Sequence, residues 1–304
     1  MAGPVVVAGE ALVDLVPGAD GDLSPLVGGG PFNTARALGR LGQPTVFLGS
    51  LSGDPLGRRL ADALAADGVA APLRTGRPTS LALAELDAQG RASYRFYFAG
   101  TSAEALEPAE AVAALPPDAA ALHVGSLGLV LRPLADAVEA LVGRVAGRAL
   151  VMIDPNVRPS MIEDRASYDA RLARLVAQAD VVKVSDEDLQ VLAPGPPPRA
   201  AARALLDRGP RLVLLTLGAD GAVAFGAFGE VTAAAPQMAV VDTIGAGDTF
   251  SGAWLARWLQ LGRPLDDAQA VRDAAAFACR AAALCCARAG ASPPTSAELA
   301  AFAA

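Results

Sequence analysis

The sequence predicts an α/β fold of three α/β/α layers, with a mainly parallel central sheet and a small antiparallel β sheet beside it. Short, continuously apolar runs such as Val5–Ala8 alternate with longer helical stretches from one end of the chain to the other. Such runs are strands buried on both faces, as when crossover helices cover both sides of a parallel sheet. A hairpin pattern over 81–98 breaks the alternation and predicts the small sheet. With 304 residues, 53% of them hydrophobic, the chain can fill one large core or two smaller ones.

The elements follow in order. Residues 5–8 read as a strand, 33–41 as a helix ended by Gly42, and 45–49 as a second strand. Asp54 and Pro55 open the next helix as N-cap and first-turn proline, and Gly68 closes it. The segment 12–26 is short and turn-rich. Within 81–98, LALAEL, a turn at Asp87-Ala88-Gln89-Gly90 and ASYRFYF alternate with period two, a hairpin that serves as a lid or as an ordinary edge. Buried strands are expected at 121–124, 149–153, 181–184 and 212–216, with helices at 132–146, 167–178 and 199–208. The proline-rich run 193–198 reads as a surface loop. Residues 238–241 read as a strand leading through glycines into an amphipathic helix, and 266–288 as Ala-rich helix.

Charge and scarcity exclude several functions. At a net charge of −7 the chain is repelled by phosphate backbones and anionic lipid, so nucleic acid and membrane are not expected partners. Any anionic ligand must be captured locally. One histidine, His123, excludes a His-rich metal centre and reads as a packed structural residue. The lone lysine, Lys183, lies in VVKVS and fits neither a Walker A loop nor a protein-kinase pattern. Cys279, Cys285 and Cys286 share one Ala-rich stretch without C-x-x-C spacing, which suggests packing in a reducing compartment. The N-terminus has no basic n-region, and Arg280 and Arg288 interrupt the best apolar stretch. The expectation is a soluble, cytoplasmic protein.

Two segments carry chemistry. In VDTIGAGDTF, Gly245 and Gly247 let backbone N–H groups converge at a helix start, an anion site that needs no lysine. Asp248 beside it is either a general base aimed at a hydroxyl or a helix N-cap. Phe250 stands where a dinucleotide-binding loop needs its third glycine. In VGGGPFNTARALG, Gly28, Gly29 and Gly30 allow close backbone approach to a polyhydroxylated ligand, and Asn33 can donate and accept toward a diol, or simply cap the helix. Asp14 is an acceptor that follows the first strand.

Together, GGGPFNTARALGRLG and DTIGAGDTF resemble the two signature regions of the PfkB (ribokinase-like) carbohydrate kinases, and the order between them agrees across essentially the whole chain. The resemblance implies a ribokinase-like catalytic domain (1–10, 28–72 and 103–304) and a β lid (11–27 and 73–102). It implies ATP- and Mg²⁺-dependent phosphorylation of a sugar hydroxyl, with Asp248 as base and residues 245–247 as anion hole. Sugar contacts fall on Asp14, Gly29, Gly30 and Asn33, and nucleotide contacts on Thr216, Gly218, Gly221, Lys183 and Ser185. Ser185 and Asp188 stand where the family shows Asn-x-x-Glu, and Asp188 would reach Mg²⁺ through water. Asp242 is placed for a monovalent cation such as K⁺. The stretch DPNVRP, with Asn156 and Arg158, and the strand containing Arg95 and Tyr97 look most like bacterial fructokinases. Arg95 and Arg158 also suit the carboxylate of a sugar acid, 2-keto-3-deoxygluconate. A nucleoside kinase and a non-catalytic sugar sensor are the remaining alternatives. A homodimer through the lid is expected.

Overall fold

The computed structural model describes residues 3–17, 22–86 and 92–302. Its main sheet has nine strands in the order Gly229–Ala233, Ala222–Gly226, Leu212–Thr216, Val181–Ser185, Leu150–Asp154, Ala121–Gly125, Val5–Ala8, Thr45–Leu48 and Val69–Ala70. The seven from Leu212–Thr216 to Val69–Ala70 run parallel, and the two C-terminal strands add an antiparallel edge. The first strand shows why these runs are apolar throughout. Val5 and Val7 pack into one core cluster, Val6 and Ala8 into the other. Helices Gly30–Arg40, Ala246–Gln260 and Ala268–Cys286 cover the first face; Leu134–Val145, Arg165–Val176 and Asp186–Leu192 cover the second.

The smaller sheet has the order Leu23–Gly28, Leu12–Pro17, Leu81–Leu86, Ala92–Tyr97. It is two antiparallel hairpins joined by a parallel pairing of Leu12–Pro17 with Leu81–Leu86. The turn expected at Asp87–Gly90 lies outside the described residues. Asp54 caps helix Pro55–Ala66 by accepting the Gly57 N–H, and also accepts from Thr79, just before the strand at Leu81.

Three expectations change. No strand forms at 238–241, where Val240 and Val241 are 65% and 64% exposed. The N–H groups of Val241 and Asp242 donate to the Cys286 carbonyl at the end of a helix, so no ladder partner remains there. Helix Ala246–Gln260 is not amphipathic: it is buried almost all round, between helices Gly30–Arg40 and Ala268–Cys286. A Cβ on Gly252 would lie 2.8 Å from the Ala37 Cβ, which is why these helices can approach so closely. The first helix begins at Gly30, not Asn33, with Gly29 (φ 111°) as its N-cap. No described helix is long and apolar enough to cross a membrane.

Candidate active site

A cavity of about 1010 Å³ lies along the C-terminal ends of the parallel strands, where open α/β sheets bind ligands. The loops after Ala8, Gly125, Asp154, Ser185 and Thr216 all contribute to it. Asp14 and Phe96 of the small sheet face it from the other side.

Helix Ala246–Gln260 points its N-terminus into this cavity. Gly245 is the N-cap at φ 76°, a left-handed conformation that favours glycine, with Ala291 packed too closely for a side chain. The first N–H groups of a helix have no carbonyl partner within it and attract anions. Ala246 is the exception here, since its N–H donates to the Thr243 carbonyl at 3.2 Å. Lys183 lies behind the terminus: its Nζ is 3.0 Å from where a Gly247 Cβ would stand. The ammonium donates to Asp154 Oδ2 at 2.9 Å, and Ser251 Oγ donates to the same oxygen. Burial opposes the Lys183 charge, but the Asp154 and Asp188 carboxylates outweigh it and hold its pKa above the usual value.

Asp248 is not the helix cap. It lies three residues inside the helix and is 8% exposed. Its Oδ2 accepts from Asn33 Nδ2 at 2.9 Å and its Oδ1 from Asn156 Nδ2 at 3.4 Å. Asn156 adopts φ 40°, an uncommon conformation for a non-glycine residue, as it turns its amide toward Asp248. Burial pushes Asp248 up to about 6, while the Asn33 hydrogen bond limits the rise. A carboxylate of that affinity is ionised at neutral pH yet ready to take a proton. A Cβ on Gly30 would stand 3.1 Å from Asn156 Nδ2 and 3.3 Å from Asp248 Oδ1, so glycine there keeps the approach to the base open. Burial likewise raises Asp14 to about 6.

The remaining predicted residues divide. Gly29, Arg158, Ser185, Asp188, Thr216, Gly218, Gly221 and residues 245–247 line the same cavity. Arg95 and Tyr97 do not. The strand's period of two turns Tyr94 and Phe96 into the cavity and leaves Arg95 outside, paired with Glu85, and Tyr97 49% exposed. Ser185 and Asp188 form a reciprocal capping box at the start of helix Asp186–Leu192. Asp188 Oδ1 also accepts the Val157 N–H at 2.7 Å, so both its oxygens hold backbone. Asp242 accepts from the N–H groups of Ile244 and Gly290, clasping its loop to the chain after helix Ala268–Cys286. Arg158 donates to the carbonyls of Asn156 and Val157. His123 is packed as expected; burial lowers it to about 3 and keeps it neutral.

Sequence reasoning missed Glu10, Tyr94 and Phe96, and it read Cys279 and Cys286 only as packing residues, although both line the cavity. Glu10 had a usable signal, as an acid immediately after a buried strand and its glycine. No group of three or more His, Cys, Asp or Glu among the described residues is placed to hold a metal ion.

The family model for pfkB family carbohydrate kinases matches residues 4–298. A fructokinase of Rhizobium leguminosarum bv. trifolii is 39% identical over 259 residues, covering 83% of this chain and 78% of that protein. Among solved structures, Vibrio cholerae O395 fructokinase in its fructose-, ADP- and calcium-bound form superposes with a TM-score of 0.88 at 29% identity, covering 98% of each chain. Salmonella enterica aminoimidazole riboside kinase, complexed with aminoimidazole riboside and an ATP analog, gives 0.88 at 28% identity over 99% of this chain and 100% of that one.

Proposed function

The chain belongs to the pfkB family of carbohydrate kinases, and from that membership we propose that it transfers the γ-phosphate of ATP to a hydroxyl of fructose. One observation carries the chemistry: the buried carboxylate of Asp248, held by Asn33 and Asn156, stands at the N-terminus of helix Ala246–Gln260 with the Lys183 ammonium behind it. The acceptor hydroxyl gives its proton to Asp248 as its oxygen attacks the γ-phosphorus, and the bond from that phosphorus to the bridging oxygen breaks, its electron pair leaving with ADP. The backbone of the 245–247 turn, with the Ala246 N–H turned to Thr243, the helix dipole and Lys183 stabilise the charge that builds on the transferring group. Asp14, Gly29, Gly30 and Asn33 hold the sugar; Thr216, Gly218, Gly221 and Ser185 hold the nucleotide.

Mg²⁺ on the nucleotide would supply charge neutralisation, reached from Asp188 through water, and K⁺ would sit by the Asp242 turn. The segments 11–27 and 73–102 act as the lid over a catalytic domain of 1–10, 28–72 and 103–304. The protein works in the cytoplasm as a homodimer joined through the small sheet, where Leu23, Leu26 and Tyr97 are exposed.

A sugar acid would meet one arginine, Arg158, and not the expected pair, because Arg95 faces away. The likeness to a riboside kinase supports a second reading, a nucleoside acceptor. A coupled ADP-release assay with Mg²⁺-ATP decides among fructose, 2-keto-3-deoxygluconate, ribose and aminoimidazole riboside. Fructose preference supports the proposal; preference for the riboside or the sugar acid replaces the substrate but keeps the mechanism. Turnover of none of them overturns the proposal.

A further inference from the structure

Glu10 is the most buried carboxylate lining the cavity, at 1% exposure, and the mechanism above gives it no task. It follows strand Val5–Ala8 and Gly9, and its side chain joins two turns that are far apart in sequence. Oε1 accepts the Gly30 N–H at 3.1 Å, and Oε2 accepts the Gly128 N–H at 3.0 Å. Gly30 opens the helix that carries Asn33, and Gly128 lies in the turn Ser126–Leu129. A displacement of Gly30 is felt at the base, because a Cβ there would sit 3.3 Å from Asp248 Oδ1.

We propose that ionised Glu10 is a positioning residue: its two carboxylate oxygens clamp the Gly30 and Gly128 turns together and so hold the acceptor end of the cavity in register with Asp248. This rests on the kinase reading of the site. The clamp requires both oxygens to accept. A protonated carboxyl keeps one full acceptor oxygen, while its O–H turns to an acceptor such as the Ser126 hydroxyl, so the hydrogen bond from one backbone N–H is weakened. Uptake of a single proton therefore loosens the clamp.

That proton binds within the working range. Burial raises Glu10 to about 7, opposed by its hydrogen bonds and aided by the Asp248 carboxylate. The charged groups facing Asp248 are Asp154, Lys183 and Arg158. Burial also raises Asp248, to about 6, so both carboxyls take up protons as pH falls from neutral. Two protonations, and not one, weaken the site as pH falls.

Glu10→Gln reproduces the protonated shape, with one acceptor and one donor, at every pH. The test measures kcat and sugar KM for wild type and Glu10→Gln between pH 5.5 and 8.5, using whichever sugar is turned over fastest. At pH 8.5 the variant should show a sugar KM raised about tenfold, the loss of one buried hydrogen bond, with a smaller change in kcat. The ratio of variant to wild type should approach one at pH 5.5. The acid limb of kcat/KM should steepen to two protons in wild type and to one in the variant. A ratio constant across pH, or a one-proton limb in both, overturns the proposal, since a merely structural residue would act equally at every pH. If the variant does not fold, calorimetric sugar binding by wild type reads the same step. Weakening that takes up two protons supports the clamp, and weakening by one proton alone refutes it. Absence of turnover with any sugar would count against the kinase reading; turnover with a pH-independent ratio would count against Glu10 alone.

Discussion

Asp248→Asn isolates the chemical step from the rest of the site. The substitution keeps the side chain's size, and its amide oxygen can still accept from Asn33, which now lies 2.9 Å from Oδ2. What is lost is the proton acceptor. With Asp248 raised by burial to about 6, most of the wild-type enzyme carries the ionised base at pH ~7.5, so most of its contribution disappears. A positioned general base is worth about 10²–10⁴ in rate, or ~3–5 kcal/mol of barrier. The anion site and Lys183 are unchanged, so the nucleotide KM should stay within about twofold. Coupled ADP release at saturating sugar reads kcat, and a pH series supplies a second check. The protonation of Asp248 near 6 should reduce the wild-type rate, whereas the residual rate of the variant should lose that step. A variant that keeps more than about a tenth of wild-type kcat, or that retains the step, would refute Asp248 as the base.

Three further outcomes are expected. Burial holds Asp248 above its usual carboxylate value, so the stability it contributes is complete below about pH 4 and lost as pH rises through 6; Asp248→Asn should therefore unfold a few degrees higher than wild type at pH 8, with the difference vanishing near pH 4, in a calorimetric melt. Gly247→Ala places a methyl 3.0 Å from Lys183 Nζ; it should lower kcat at least tenfold with little change in melting temperature, because alanine suits a helix and the lysine tip can move. Arg95→Ala should leave every substrate KM unchanged, since its guanidinium pairs with Glu85 outside the cavity, while Arg158→Ala should raise KM for sugar or nucleotide in the same steady-state assay.

Much of this molecule is legible along the chain because its signals are local. The run VVVA needs apolar cover on both faces, and Asp54-Pro55 carries its own capping chemistry, so strand and helix start can be read without neighbours. The glycines of TIGAGD specify a tight turn into a helix, and Gly245 adopts the left-handed conformation such a turn uses. Residues 238–241 failed for the opposite reason. An apolar run becomes a strand only when a ladder partner is present, and here the chain bonds to a helix end instead.

The linear sequence thus determined the layered α/β fold, the two glycine-rich turns and the acid beside the second of them, since backbone conformation and burial pattern are properties of short segments. Tertiary structure alone decided which face of the strand at 94–97 meets the cavity, because alternation is equally satisfied by either register until the sheet packs. It also decided that Asp188 holds backbone through both oxygens, that Cys279 and Cys286 line a cavity, and that Glu10 bridges turns almost a hundred residues apart. The proton affinities of Glu10 and Asp248 belong to the same class: they arise from the water that folding excludes around them, and no stretch of sequence carries that information.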